Sequence, residues 1–118
     1  MQHYHLWVDL KDSHQDVEFA AAVRAWLGHL QREKRIESFT ITRRKLGFGP
    51  DGLGEFHVCV DTDDLAQLDR AFELAATRDG ETEKLHRAVY SKVTNFKAAL
   101  YRDFPDAGRS PAEVGTKR

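Results

Sequence analysis

The stretch HYHLWVDL, which spans His3–Leu10, alternates polar and apolar side chains with a period of two. Successive side chains of a strand point to opposite faces of a sheet, so this alternation predicts a β-strand with two unlike faces. One face would carry Tyr4, Leu6, Val8 and Leu10, and the other would carry His3, His5, Trp7 and Asp9. Such a strand fits an antiparallel sheet that buries only one face under helices.

Outward from this strand, the periodicity of the sequence changes in the order β-α-β-β-α-β. A helical pattern follows over His14–Arg35, and two more alternating stretches predict strands over Ser38–Lys45 and Glu55–Asp61. A second helix begins after Thr62 or Asp63. The buried stripe of the first helix is expected to consist of Phe19, Val23, Trp26, Leu27 and Leu30.

The second half of the sequence predicts its helices and strands less clearly. We expect Gly80 to end the second helix, and Asn95 interrupts the helical pattern that comes after it. The last stretch, Phe96–Arg102, fits either a fourth strand or a continued helix, because it contains good helix formers. We expect one domain over 1–104 and a flexible tail over 105–118. The second helix has the stripe Leu65, Leu68, Phe72 and Ala75, and the later pattern has Leu85, Val89 and Val93.

This element order is the ferredoxin-like, or split βαβ, plan. It predicts an α+β fold with an antiparallel four-stranded sheet and helices on one face. The other face would carry His3, His5, Trp7, Thr40, Thr42, His57 and Cys59. Because an exposed tryptophan among such side chains is typical of a contact surface, we expect two copies to pack sheet against sheet as a homodimeric α+β barrel. A monomer with a half-solvated sheet is the alternative.

Composition limits the classes of function. The formal net charge of −1 argues against a dedicated nucleic-acid binder, which normally carries an excess of Lys and Arg. The single cysteine, Cys59, cannot form an intrachain disulfide, which suits a reducing compartment. No stretch has the pattern of a signal peptide or of a membrane span. We therefore expect a soluble cytoplasmic protein without nucleic-acid or membrane partners.

The sharpest candidate for chemistry is the set His3, His5 and His57. Two histidines that are two residues apart on a strand point the same way, and an antiparallel neighbour would bring the third beside them. Three imidazoles are a ligand set for zinc, iron, copper or nickel. We favour the plainer interpretation that they bond to the partner chain, and an acid–base role is a third one. The sequence therefore predicts no cofactor.

Other signals are weaker. Gly47–Gly52 spells G-x-G-x-x-G, but it lies between two strands and contains a proline, so it predicts a hairpin turn and not a dinucleotide site. An RNA-recognition sheet would need outward aromatic residues on the following strand, where this chain has histidine and cysteine. Cys59 is expected to be a packed, inert thiol. For His86, Arg87 and Tyr90 we favour the polar side of an amphipathic helix over a cavity between helices and sheet.

Three segments carry a resemblance to known proteins: Ile41–Gly47 (ITRRKLG), Gly52–Val58 (GLGEFHV) and Leu100–Asp106 (LYRDFPD). They are similar to a small bacterial family of uncharacterised proteins, and this likeness covers nearly the whole chain up to the tail. The overall plan resembles the dimeric α+β barrel superfamily, which includes antibiotic-biosynthesis-type monooxygenases, haem-degrading monooxygenases and stress-responsive barrel proteins. Fold alone does not fix a function.

The haem-degrading members of that superfamily use an asparagine on the first strand, a tryptophan, and a histidine on a later helix. The first strand here offers His5 and Trp7 but no asparagine. The resemblance therefore implies no haem site, and no catalytic residue is carried over from it. The cofactor-free oxygenases of the superfamily contribute a pocket to a substrate that is itself easily oxidised.

Our expected function is a homodimeric barrel that binds a small organic molecule, with a monooxygenase-like activity as the reaction class that the resemblance implies. A cavity between sheet and helices would favour it. The first alternative is a non-enzymatic dimerisation or interaction protein, in which the open side of the sheet serves assembly alone. The second alternative is a metal protein that uses His3, His5 and His57.

Overall fold

A computed structural model of the chain describes residues 1–106 and 108. The predicted tail over 105–118 falls largely outside this range. The elements are β1 (Gln2–Leu10), α1 (Asp16–Arg32), β2 (Ser38–Arg43), β3 (Phe56–Thr62), α2 (Leu65–Ala75), α3 (Gly80–Tyr90) and β4 (Val93–Arg102). The strands form one antiparallel sheet in the order β2-β3-β1-β4, so the predicted α+β ferredoxin-like fold is confirmed. No helix in this part of the chain is both long and apolar enough to span a bilayer.

The central strand of the sheet is β1, and its two neighbours determine which side chains share a face. Trp7 lies opposite His57 on β3 and opposite Lys97 on β4. Residues directly opposite each other in a sheet point to the same face. The predicted alternation of β1 is therefore present, with Leu6 and Val8 turned to the helices and Trp7 turned away from them.

The first helix packs on one face of the sheet through the stripe that the sequence predicts. Phe19, Val23, Trp26, Leu27 and Leu30 are all buried. They meet apolar side chains of β1 and β3, and each large apolar side chain buried there contributes about 1.5–3 kcal/mol. We call this side of the sheet the helix face, and the opposite side, which carries Trp7, the open face.

The first helix ends at Arg32, before the predicted boundary at Arg35. Lys34 takes a left-handed conformation with a φ of 60°. Its N–H donates to the carbonyl of Gln31, and the N–H of Arg35 donates to the carbonyl of Leu30. This Schellman arrangement satisfies the last carbonyls and ends the helix. At the other end, a 3₁₀ turn replaces the predicted first helical turn.

The prediction that Gly80 ends the second helix is wrong. Gly80, with a φ of 72°, is the first residue of α3, and α2 ends before it. The buried apolar residues of α2 are Leu68 and Ala71, whereas Leu65 and Phe72 are 57% and 46% exposed. Helical periodicity fits several neighbouring rows of residues, and only packing against the sheet selects the row that is buried.

The last element, β4, is a strand that begins at Val93 rather than at Phe96. Hydrogen bonds to β1 override its helix-forming composition, and Val93 is therefore not part of a helical stripe. Asn95 lies inside this strand at a β-bulge, where its φ is 55°. The extra residue at the bulge turns Phe96 to the helix face, where it borders the space under the helices.

A glycine-rich loop joins β2 to β3, as predicted. Gly54 in this loop passes so close to β1 that a Cβ there would lie 2.5 Å from the carbonyl carbon of Val8. Asp9 connects the loop to the bulge, because its carboxylate accepts a hydrogen bond from the Glu55 N–H at 2.8 Å and from Asn95 Nδ2 at 3.0 Å. The end of the open face is therefore held by one side chain of β1.

Candidate functional site

The open face consists of three rows of four side chains that cross the sheet. All seven predicted site residues lie in these rows, so the structure brings them to one surface. Opposite Cβ atoms of an antiparallel sheet are about 4.5–5.5 Å apart, so neighbours in a row are within bonding reach. From β2 to β4 the rows are Ser38, Asp61, His3 and Tyr101; Thr40, Cys59, His5 and Ala99; and Thr42, His57, Trp7 and Lys97.

In the first row, His3 bridges two carboxylates. His3 Nδ1 lies 2.6 Å from Asp61 Oδ1, and His3 Nε2 lies 2.6 Å from Asp103 Oδ1. The hydrogen bonds to Asp103 and Asp61 raise the pKa of His3 above its ordinary value. Partial burial alone would raise the pKa of Asp61, but hydrogen bonds from His3 and Ser38 hold it below its ordinary value. The network therefore favours a charged imidazole between two carboxylates.

In the second row, Cys59 lies beside this bridge. Its Sγ is 3.5 Å from Asp61 Oδ1 and 4.0 Å from His5 Nε2. Burial and the neighbouring Asp61 carboxylate raise the pKa of the Cys59 thiol to about 11. The thiol is therefore protonated at neutral pH, which disfavours a nucleophilic role. Thr40 lies opposite Cys59 on β2, and its side chain is exposed.

Across the three rows, aromatic rings pack together at the centre of the open face. His5 Nδ1 lies 2.8 Å from His57 Nε2, and the ring centroids of the pair are 5.1 Å apart. Trp7 stacks on His57 at 5.1 Å, and Tyr101 meets His5 edge-on at the same distance. Burial, and then the neighbouring His5, lower the pKa of His57. Thr42 Oγ1 lies 3.2 Å from His57 Nδ1, so both ring nitrogens of His57 have a partner.

The structure does not bring the three histidines together as one ligand set. His5 and His57 face each other, whereas both ring nitrogens of His3 are turned to carboxylates. Among residues 1–106 and 108, the only group with three metal-ligating atoms within 4.8 Å of one another is His3, Cys59 and Asp61. The alternation of β3 already predicts that Asp61 lies on the same face as His57. This pattern could have identified Asp61 as a member of the cluster.

The helix face contains unfilled space between the sheet and the helices. Two adjoining cavities have volumes of 130 Å³ and 260 Å³. An apolar cavity of about 150 Å³ is large enough to hold benzene. Each cavity is therefore about the size of one ring or larger. Both are bordered by Leu6, Trp26, Leu27, His86 and Phe96.

His86 of α3 brings a polar atom to the border that the two cavities share. Its ring stacks on Trp26 with centroids 4.6 Å apart and meets Tyr90 edge-on at 4.9 Å. Burial lowers the pKa of His86, although the Glu83 carboxylate and a backbone hydrogen bond to Ala75 act in the opposite direction, so the neutral ring is favoured. Its Nδ1 is buried and has no hydrogen-bond partner within the described part of the chain. A buried polar atom of this kind needs an explanation, and a bound molecule is one.

The alternative of a position at a cavity holds for His86 and Tyr90, which border the first cavity, although Tyr90 is also 38% exposed. Arg87 is exposed and pairs with Glu83, an acid that is only 4% exposed. Glu83 Oε2 also accepts a hydrogen bond from the Tyr90 hydroxyl, and these contacts lower the pKa of Glu83. Sequence reasoning missed Glu83, because a glutamate in the first turn of a helix is normally solvated.

The sequence over residues 1–114 matches a protein family that is described as a family of unknown function, DUF6614. The chain belongs to this family. The predicted likeness to an uncharacterised family is therefore confirmed. No curated protein sequence matches the chain.

Solved structures with the same fold come from several organisms. A protein from Arabidopsis thaliana has a TM-score of 0.69 at 6% identity, over 91% of this chain and 99% of that one. A dimeric ferredoxin-like protein of unknown function from a Jannaschia species has a TM-score of 0.63 at 14% identity, over 87% and 100%. An antibiotic-biosynthesis-monooxygenase-like protein from Deinococcus radiodurans has a TM-score of 0.52 at 17% identity, over 90% and 95%. At these identities the likeness shows the fold alone.

Proposed function

We propose that this DUF6614 member is a homodimer that is joined through its open faces, and that each subunit binds a small organic molecule between sheet and helices. The observation that carries the binding function is the unpaired Nδ1 of His86 at the border of two cavities. This observation favours binding over a role in assembly alone, because a contact between open faces leaves the space on the helix face uncovered.

The size of the cavities supports a ligand. Protein interiors pack at a density of about 0.74–0.76, with few voids larger than a water molecule. The 130 Å³ space is open on one side, where Phe96 and Tyr90 at its border are 57% and 38% exposed, so a molecule can enter it. A molecule that fills this space recovers apolar contacts that the protein cannot make for itself.

The lining of the cavities indicates the class of ligand. Within the described residues, neither cavity is bordered by Lys, Arg, Asp or Glu, so a neutral molecule is favoured. The ring of Trp26 offers a flat apolar surface, and His86 Nδ1 offers one hydrogen-bonding position. The expected ligand therefore has an apolar body of one or two rings and one polar group.

Exposed apolar side chains near β4 indicate where a ligand could enter the cavities. Phe96, Phe72 and Tyr90 border the cavities and are 57%, 46% and 38% exposed. Because α3 leaves this edge of the sheet partly uncovered, an apolar molecule can approach without displacing the core. We propose no reaction for the site, since its chemistry supports binding.

The open face supports the dimer. Trp7, His5 and His57 form a half-buried stack at its centre, and Tyr101 beside them is 60% exposed. A second copy of the same surface would cover all of them through a two-fold axis. The neighbour from the Jannaschia species, which has the same fold, is described as dimeric.

A matched pair of ligands tests the binding function. Isothermal titration of the full chain with 1-naphthol and with naphthalene should give about 5- to 150-fold tighter binding of 1-naphthol, because a buried unpaired polar atom costs about 1–3 kcal/mol. In His86→Phe, which keeps a ring on Trp26 but removes the nitrogen, we expect 1-naphthol to bind no more tightly than naphthalene, because its hydroxyl would be buried without a partner. His14→Phe is the matched control, because the His14 side chain is 95% exposed. A preference for 1-naphthol that survives in His86→Phe contradicts the role of His86, and no binding of either probe contradicts the binding function.

The dimer has an independent test. Light scattering coupled to size-exclusion chromatography should give twice the 13.5 kDa mass of one chain. A monomer mass across micromolar concentrations would contradict the dimer and leave the binding function standing.

A further inference from the structure

We propose that His3, Cys59 and Asp61 form a binding site for a divalent transition metal of the zinc class on the open face. One ligand atom from each of these residues lies within 4.8 Å of the other two. Imidazole, thiolate and carboxylate are the three side-chain groups that bind zinc in proteins. The site lies within one protomer, so it depends neither on the dimer nor on a ligand in the cavities.

The distances within the cluster fit tetrahedral coordination. With Zn–S near 2.3 Å and Zn–O near 2.0 Å, tetrahedral angles separate sulfur and oxygen by about 3.5 Å. Cys59 Sγ and Asp61 Oδ1 are 3.5 Å apart. His3 Nδ1 and Asp61 Oδ1 are 2.6 Å apart, so they would separate by less than about 1 Å to admit an ion. His5 Nε2, which is 4.0 Å from Cys59 Sγ, is the nearest side chain for a fourth position.

A second, independent observation is the outer layer of hydrogen bonds around the cluster. A histidine that binds a metal almost always donates its other N–H to a carboxylate, a backbone carbonyl or water, and ligating carboxylates are themselves hydrogen-bonded. His3 Nε2 lies 2.6 Å from Asp103 Oδ1. Asp61 Oδ2 accepts a hydrogen bond from Ser38 Oγ at 2.7 Å. Outer hydrogen bonds therefore already orient both proposed ligands, His3 and Asp61. A contact between polar side chains without a function would not need this second layer.

The charges around the cluster also allow a divalent cation, because the ion would replace two protons. Two carboxylates and one thiol surround the single imidazole of His3. The amino group of Met1 is a further positive group and lies 3.5 Å from Asp103 Oδ2. A metal ion would take the place of the protons on His3 Nδ1 and Cys59 Sγ, so its binding releases protons to the solvent.

Metal titration of the full chain tests this site. After chelator treatment, we expect the protein to bind one Zn²⁺ per chain by isothermal titration, with proton release. With Co²⁺ we expect a thiolate-to-cobalt charge-transfer band. Cys59→Ser should abolish that band and weaken Zn²⁺ binding at least tenfold. Asp103→Asn should weaken Zn²⁺ binding about 10–100-fold, because it removes the carboxylate behind His3.

The control variant is His14→Gln, which changes a 95% exposed histidine outside the cluster and should leave both signals unchanged. Because the side chain of Asp103 is 62% exposed, Asp103→Asn is expected to fold, and circular dichroism of each metal-free variant checks this. The proposal is overturned if the wild type binds neither ion, if Cys59→Ser binds Zn²⁺ as tightly as the wild type, or if His14→Gln loses binding to the same degree as Cys59→Ser.

Discussion

The open face and the helix face come from the same strands, but they differ in how completely their polar groups are paired. On the open face, His3, His5 and His57 each use both ring nitrogens in contacts to other side chains. On the helix face, His86 has a buried nitrogen without a partner within the described residues, next to unfilled space. A paired polar surface suits a rigid contact or a metal ion, whereas an unpaired atom in an apolar cavity suits a ligand.

Two histidines make this comparison sharper. Burial lowers the pKa of both His57 and His86. His57 nevertheless has His5 and Thr42 as partners, while the ring of His86 lies between Trp26 and Tyr90. The two histidines therefore differ in their surroundings. His57 belongs to a hydrogen-bonded sheet surface, and His86 borders a cavity.

The largest expected effect is a difference in unfolding free energy between a packed position of the helix face and a position at the cavity. Phe56 is 5% exposed, meets Phe19 with ring centroids 5.2 Å apart and borders neither cavity. Its change to alanine should cost about 3–5 kcal/mol of unfolding free energy. Val89→Ala should cost about 1 kcal/mol, because one side of Val89 already faces empty space. Urea denaturation of both variants measures the difference. Equal losses would mean that the space beside Val89 is filled.

The next effect tests the open face. Trp7→Ala should weaken dimerisation by about 2 kcal/mol or more, because a central aromatic anchor typically dominates an interface. Sedimentation equilibrium gives the dissociation constant, and circular dichroism should show that the fold is retained. Val17→Ala is the control, since Val17 is a 73% exposed residue of α1. An unchanged dissociation constant for Trp7→Ala would remove the open face as the interface.

A smaller effect is expected where the open face meets the hairpin loop. Hydrogen bonds from Asn95 and from the Glu55 backbone lower the pKa of Asp9. Its stabilising contribution is therefore present above the ordinary carboxyl pKa of about 3.9 and is lost as the pH falls through the lower folded value. Asp9→Asn should cost about 1 kcal/mol at pH 7, and its stability should approach that of the wild type in acid. Thermal unfolding against pH measures this, with the exposed loop residue Asp51→Asn as the control.

The smallest effect concerns His86. Because burial places its folded pKa below the ordinary value of about 6.5, its neutral form is favoured, and the stability from this group is lost as the pH falls through the folded value. The melting temperature should therefore fall more between pH 7 and pH 5 in the wild type than in His86→Phe. His14→Phe, at a 95% exposed side chain, should behave as the wild type does. If the melting temperatures of the wild type and His86→Phe fell in parallel with pH, the ring of His86 would be solvated and would not lie at the cavity.

Much of the fold could be predicted, because local periodicity is enough to identify its main elements. The alternation of β1 and the buried stripe of α1 are both found as predicted. The errors lie where backbone conformation or pairing overrides propensity. Lys34 and Asn95 adopt positive φ values, and Gly80 begins a helix rather than ending one. None of these has a periodic signal, because each depends on a single residue.

For the candidate site, the sequence could predict which residues share a surface but not which of them are in contact. Period-two alternation placed His57 and Cys59 on the face of His5, and the structure agrees. Glu83 was missed because its burial depends on how α3 packs against α1. Likewise, the contact of His86 with Trp26 depends on the packing angle of two helices, which their separate sequences do not encode.

The sequence by itself determined which side chains point to the same face of each strand and helix, because side-chain direction is a local property of the backbone. Only the tertiary structure decided which of them touch, because register, bulges and helix packing join residues that are far apart in the chain. His3 and Asp103 are separated by 100 positions, and yet their side chains lie 2.6 Å apart. The metal-ligating cluster and the cavity beside His86 arise from such long-range meetings.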